Sequence, residues 1–358
     1  MRQPYIIPIL LLIGITPFIA KAESTAAYNN ACCDQSLYSY CPQFEFQFRT
    51  LIFQPTASNL HYAAQAIPVP LPSPNWSIYD INPDYHFGFD LQASTFIQKK
   101  NTRLRVNWLR FNHSDSACHN VPSDQDMVGP FFEIGPDAAL YKNAKGSVNF
   151  HFNNVNVNYG QFIHICDNLY ANLFAGVSFV RLQQALFSEF ANNESTVVRT
   201  ICVPTQFTGA GPQLGIDLYY NICNNLYFTS KTAASLLTGK LKNHTIYQAL
   251  SPALEGLDIT PPNTQSTCTE NKTQLVPGFD LQLGLSYFLT ICEAYTLQFE
   301  AGYQALLYIN PIQSIDMGSE VVTPPVIPDT VGVFARTFRG TLSNFGLAGP
   351  YVSIGLAF

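Results

Sequence analysis

Apolar and polar residues alternate with a period of two along much of this chain. Across residues 85–93, Tyr85, Phe87, Phe89 and Leu91 fall on one parity, and His86, Gly88, Asp90 and Gln92 fall on the other. A strand sends successive side chains to opposite faces, so this stretch has one greasy face and one polar face. Residues 44–53 repeat the pattern, with Phe44, Phe46 and Phe48 against Glu45, Gln47 and Arg49. So do residues 103–108, with Leu104, Val106 and Trp108 against Arg103, Arg105 and Asn107. Further strands are predicted at 148–162, 169–181, 211–220, 226–237, 279–288 and 295–308. Within 148–162 the apolar parity slips at Asn153-Asn154, which predicts a β-bulge. The chain closes on Val352, Ile354, Leu356 and Phe358, opposite Ser353, Gly355 and Ala357. A final strand ending on an aromatic residue suits the closing strand of a membrane β-barrel, where the last strand pairs with the first and leaves no edge.

The gaps between these strands sort by length. Short turns sit at Lys99-Lys100-Asn101 and after Ile165-Cys166, Ile222-Cys223 and Ile291-Cys292. Long connections are predicted at 55–83, 112–145, 184–205, 239–276 and 311–347, the first carrying Pro68, Pro70, Pro72, Pro74 and Pro83. Long and short alternate to the end. Outer-membrane barrels have short periplasmic turns and longer outer loops, whereas a soluble β-sandwich has no reason to sort its loops. Phe162, Tyr170, Tyr220, Tyr227, Tyr287 and Tyr295 flank the short turns, as an interfacial aromatic girdle would. The fold class read from this pattern is all-β: a transmembrane antiparallel β-barrel of about ten to twelve strands. A hairpin hidden in a long loop would supply the extra pair.

Composition agrees. Charged residues make up 12% and aromatics 13% of the 358 residues, about half and well above the usual shares of a soluble domain. Beyond the N-terminus no apolar run is long enough for a membrane helix. Residues 1–22 read as a signal peptide, with Arg2 before an apolar core and Ala20-Lys21-Ala22 as the cleavage site. The mature chain then begins at Glu23, with residues 23–42 as a periplasmic arm and 43–358 as the barrel. Losing Arg2 and Lys21 leaves 16 basic against 24 acidic residues, a net charge of −8, which argues against nucleic acid as a partner. The location this implies is the bacterial outer membrane.

The polar faces supply the candidate pore lining: Glu45, Arg49, His86, Asp90, Arg103, Arg105, Asp217, Asp280, Gln298 and Glu300. An Arg or Lys facing lipid at the midplane costs about 2–4 kcal/mol, so these side chains are expected inside. The interior is then either a wet lumen passing small hydrophilic solutes or ions, or a filled one in which opposite charges pair and block flow. Nine cysteines in an exported chain predict disulfides with one thiol left over. Cys32, Cys33, Cys41, Cys166, Cys223 and Cys292 map to the periplasmic side, and Cys118, Cys202 and Cys268 to the outer loops. Their spacing leaves open whether they close within the chain or onto neighbouring envelope proteins. Cys32-Cys33 lacks zinc-ligand spacing, and no G-x-S-x-G, H-E-x-x-H or P-loop pattern occurs. No enzyme activity, metal or cofactor is expected.

Several stretches resemble a known family. They are Leu173-Phe-Ala-Gly-Val-Ser-Phe-Val-Arg181, Gly209-Ala-Gly-Pro-Gln-Leu-Gly-Ile-Asp217, Lys231-Thr-Ala-Ala-Ser-Leu-Leu-Thr-Gly239, Val276-Pro-Gly-Phe-Asp-Leu-Gln-Leu-Gly-Leu-Ser-Tyr287, Glu300-Ala-Gly-Tyr303 and Asn344-Phe-Gly-Leu-Ala-Gly-Pro-Tyr351. In this order the chain resembles the Legionella-type major outer membrane proteins, pore-forming barrels also found in chlamydia-related bacteria. The first third matches less well, through Phe53-Gln-Pro-Thr-Ala-Ser58. The resemblance implies a homo-oligomeric porin in outer-membrane lipid. The Ile-Cys turns depart from it and look more like a cysteine-linked envelope. A disulfide-tied structural or adhesive protein is therefore the competing expectation.

Overall fold

The computed structural model describes residues 44–67, 75–97, 101–121, 127–129, 141–166, 168–191, 197–223, 225–249, 264–269, 271–292, 295–322 and 332–358. In chain order the strands are β1 (Phe44–Ala57), β2 (His61–Ile67), β3 (Asn75–Asp80), β4 (His86–Ile97), β5 (Thr102–Asn120), β6 (Met127–Gly129) and β7 (Asn143–Cys166). They continue as β8 (Leu169–Ala191), β9 (Val197–Cys223), β10 (Leu226–Ala249), β11 (Thr264–Cys268), β12 (Lys272–Cys292), β13 (Tyr295–Val322) and β14 (Gly332–Ala357). Among the described residues no helix is long and apolar enough to cross a membrane.

Ten strands close into a ring of antiparallel pairs, in the order β1, β4, β5, β7, β8, β9, β10, β12, β13, β14 and back to β1. Glu45 lies opposite Ala357, and Phe44 and Phe358 exchange both backbone hydrogen bonds at 3.0 Å. The Phe358 ring then packs against Phe44 and Phe46 with centroids 6.1 Å apart. The terminal residues Val352, Ile354, Leu356 and Phe358 thus close the barrel as their alternation predicts, with exposed side chains on its outer wall. Asn101 and Asn225, at two of the short turns, take the left-handed conformation, with φ of 49° and 68°. Asparagine tolerates that region better than other side chains with a Cβ.

The strands are longer than the alternation suggested. β7 has 24 residues and β13 has 28, so much of the predicted loops 112–145, 184–205, 239–276 and 311–347 is strand. The reason is an inversion of faces. On β7, Val155, Val157, Tyr159, Ile163 and Ile165 point outward while Asn154, Asn156 and Asn158 point inward. Nearer the outer loops of the same strand, Val148, Phe150 and Phe152 point inward and Asn149 and His151 point outward. The slip at Asn153-Asn154 is therefore not a bulge. Both neighbours pair with it without interruption, through Asn153↔Arg110 and Asn153↔Arg181. β5 inverts between Trp108 and Arg110 on its outer face, and β8 between Phe179 and Arg181. From Val155 to Ile165 the outer face, apolar except at Gln161, runs about 11 residues, the length that crosses a bilayer as a tilted strand. The remainder stands clear of the hydrocarbon as a barrel with an apolar core and a polar wall.

The long connection 55–83 does hide a hairpin, β2 with β3, but it does not join the ring. It pairs instead with β6 as a separate three-stranded sheet. Tyr62 of β2 is buried against Gly146 of β7, where any side chain would collide with its ring. Among the described residues the ring keeps ten strands.

Candidate functional site: the barrel interior

Within the membrane-level half, inward parity gathers polar side chains from many strands into one layer. Arg49 on β1 lies directly opposite Asp90 on β4. Its guanidinium donates to Asp90 at 3.2 Å and, across the barrel, to Gln282 at 3.1 Å. The same group sits 4.7 Å above the Tyr351 ring. Glu300 accepts from the Tyr351 hydroxyl at 2.6 Å, from Gln298 at 3.2 Å and from Gln47 at 3.4 Å, and Lys231 lies 3.6 Å away. On the far wall Arg105 donates to Asp217 at 2.7 Å, and Asn172 donates to the same carboxylate at 3.0 Å. Arg103 pairs with Glu45, and Gln304 donates to Asp280 at 3.0 Å.

Nine of the ten residues proposed from sequence as pore lining meet in this layer. His86 does not. It stands at the outer rim beside His113 and Asp115. Burial pushes the His113 imidazole below its usual pKa, partly offset by the Asp115 carboxylate. Sequence reasoning missed Lys231, whose inward parity with Tyr227 and Thr229 on β10 was the available signal. It also missed Asn154, Asn156, Asn158 and Asn172, buried amides that alternate with apolar outward residues. Four basic residues (Arg49, Arg103, Arg105, Lys231) face five acidic ones (Glu45, Asp90, Asp217, Asp280, Glu300) in the layer, so its charge nearly balances.

The layer is tight. Arg49, Asp90, Asn156, Asn158 and Gln213 line a cavity of about 40 Å³, room for about two or three waters. Each of these five carries a buried atom with no protein hydrogen-bond partner, so the space is wettable. Above it the interior turns apolar. Phe150 and Phe152 of β7 reach Phe345 of β14 with ring centroids 5.7 and 5.6 Å apart, and Phe152 reaches Tyr308 of β13 at 5.5 Å. Leu51, Phe53, Phe111, Leu237 and Leu347 are fully buried in the same core.

A family model supplies the deciding match: residues 39–358 fit the Legionella pneumophila major outer membrane protein precursor. The chain belongs to that family. It is accordingly an outer-membrane protein, as its alternation and loop lengths anticipate. No curated protein matches it. Among solved structures, the outer membrane protease OmpT from Escherichia coli is similar over 88% of this chain and 96% of its own, at 9% identity and a TM-score of 0.44. The Pseudomonas putida toluene transporter TodX is similar over 88% and 90%, at 6% identity and a TM-score of 0.30. Neither likeness transfers an activity.

The expected signal peptide, the arm and Cys32, Cys33 and Cys41 lie outside the described residues. Cys118, Cys166, Cys202, Cys223 and Cys268 are free thiols, and no disulfide joins them. Cys166, Cys223 and Cys292 end β7, β9 and β12, each separated from the next by one intervening strand of the ring. The strand spacing alone sets each at least about 10 Å from the next, beyond the ~7 Å Cα reach of a disulfide. These three cannot bridge one another.

Proposed function

We propose that this outer-membrane protein acts as a closed barrel, with a structural or adhesive role and little passive flow through its interior. Its outward half, polar on the outer wall, would form the contact surface. The observation that carries this reading is the meeting of wall side chains across the barrel, Phe150 and Phe152 against Phe345 and Tyr308. These belong to the ring strands themselves, so displacing a loop does not clear them. The ion pairs of the polar layer tie the wall together a second time. Exposed Cys166 and Cys223 at the short turns supply thiols for linkage to neighbouring envelope proteins.

A second reading, a porin for small hydrophilic solutes or ions that assembles as a homo-oligomer, draws support from the family and from the wettable charged layer. It requires the phenylalanine contacts to part. Single-channel conductance of the refolded chain, residues 23–358, separates the two. A folded, heat-modifiable barrel without discrete steps is the expected result. Steps that scale with salt in the unaltered protein would select the porin instead. Steps seen only after Phe152→Ala with Phe345→Ala would locate the seal at those rings. Envelope proteins run without reductant should form ladders that collapse when it is added; a monomer in both lanes removes the linkage role.

A further inference from the structure

The register Gly88↔Phe111 between β4 and β5, carried two residues further, sets His86 opposite His113. Asp115 follows on the same inward parity. The two imidazoles stack with centroids 3.0 Å apart and planes 10° from parallel. The Nε2 atoms of His113 and His86 lie 2.7 and 3.5 Å from the same Asp115 Oδ2. All three ligand atoms fall within 4.8 Å of one another. Yet both Nε2 atoms are buried and neither makes a hydrogen bond of acceptable geometry. One carboxylate oxygen thus faces both ring nitrogens at ion-pair distance, with no well-aligned hydrogen bond to either. The backbone N–H of Asp84 donates to Asp115 Oδ2 at 3.1 Å and fixes the carboxylate.

We infer that His86, His113 and Asp115 form a binding site for one divalent transition-metal ion at the outer rim, and that zinc fits it. Tetrahedral zinc holds nitrogen and oxygen ligands at about 2.0–2.2 Å, which separates neighbouring ligand atoms by about 3.3–3.5 Å. The two nitrogen–oxygen spacings, 2.7 and 3.5 Å, bracket that range, and one imidazole turning out of the stack brings both in-plane lone pairs onto the ion. Two imidazole nitrogens select zinc, copper or nickel over magnesium and calcium, which prefer all-oxygen shells. Three protein ligands leave a fourth position to water or a solute donor. A bound ion would fasten β4 to β5 and, through Asp84, hold the β3–β4 connection at the mouth. The sequence shows only His113-x-Asp115; the third ligand is 27 positions earlier, brought opposite by the hairpin.

The test is zinc titration of the refolded chain, residues 23–358, in detergent, with every thiol alkylated so that the nine cysteines cannot compete. Bound metal is counted after equilibrium dialysis, and the cobalt(II) form supplies a ligand-field spectrum. One zinc per chain is expected, with affinity lowered on the order of 100-fold or more by His113→Ala, since loss of a mere second-shell partner already costs ~10–100-fold. Asp115→Asn, nearly isosteric, serves if His113→Ala does not give the heat-modifiable mobility of a folded barrel. No stoichiometric zinc at micromolar concentration overturns the site. So does undiminished binding in a folded Asp115→Asn or His86→Gln variant.

Discussion

Val157 and Asn149 share one strand and one face of β7, eight residues apart, and live in opposite worlds. Around Val157 the outer wall is apolar and the inner side chains are Asn156 and Asn158. Around Asn149 the outer wall is polar and the inner side chains are Val148 and Phe150. The lipid-level half must keep apolar groups outward because hydrocarbon cannot solvate charge, and it stores its polar groups inside. The outward half stands in water and follows the rule of any soluble β-structure, apolar in and polar out. One continuous hydrogen-bonded ring serves both, because the backbone pairing is indifferent to which face is greasy.

The largest effects should come from the interiors, and they should differ in kind. Asp217→Ala leaves Arg105 buried without its counter-ion and should cost about 3–5 kcal/mol, whereas Arg105→Met with Asp217→Leu should recover most of that loss. Urea unfolding in lipid vesicles measures both. Equal loss in the single and double variants would mean that the pair itself, not the stranded charge, matters. In the outward half Phe152→Ala should cost a comparable ~3–5 kcal/mol by leaving a cavity, with no rescue by a polar replacement. A loss under about 1 kcal/mol would mean the core above the layer is loosely packed. The outer face provides the sharpest contrast. Val157→Arg should destabilise by about 2–4 kcal/mol if it meets lipid, and Asn149→Arg by less than about 0.5 kcal/mol as a surface change. Similar costs at the two positions would erase the boundary drawn at Asn153.

Much of the membrane half was legible because lipid enforces one parity. The apolar rows at Phe44–Phe46–Phe48, Leu104–Val106–Trp108 and Val352–Ile354–Leu356 mark strands and, at once, the opposite faces that hold Arg49, Arg103, Arg105 and Ser353. The outward half was not legible by the same rule. There the greasy parity changes sides, so Phe150 and Phe152 looked like a break in β7 and the outer parts of β8, β9, β10 and β13 looked like loop. The polar layer was half visible: its residues could be named from alternation, but their partners could not. Arg105 and Asp217 are 112 positions apart and sit on strands that are not neighbours in the ring.

Alternation, including the row Val352–Ile354–Leu356, and turn spacing determined on their own that this chain closes into an antiparallel barrel in an outer membrane, because each is a local consequence of pairing strands against lipid. Which side chains meet inside the barrel was decided only by the tertiary structure. The curvature of ten strands brings Phe150, Phe152 and Phe345 together from separate parts of the chain, and a period of two carries no information about what a side chain meets across the barrel.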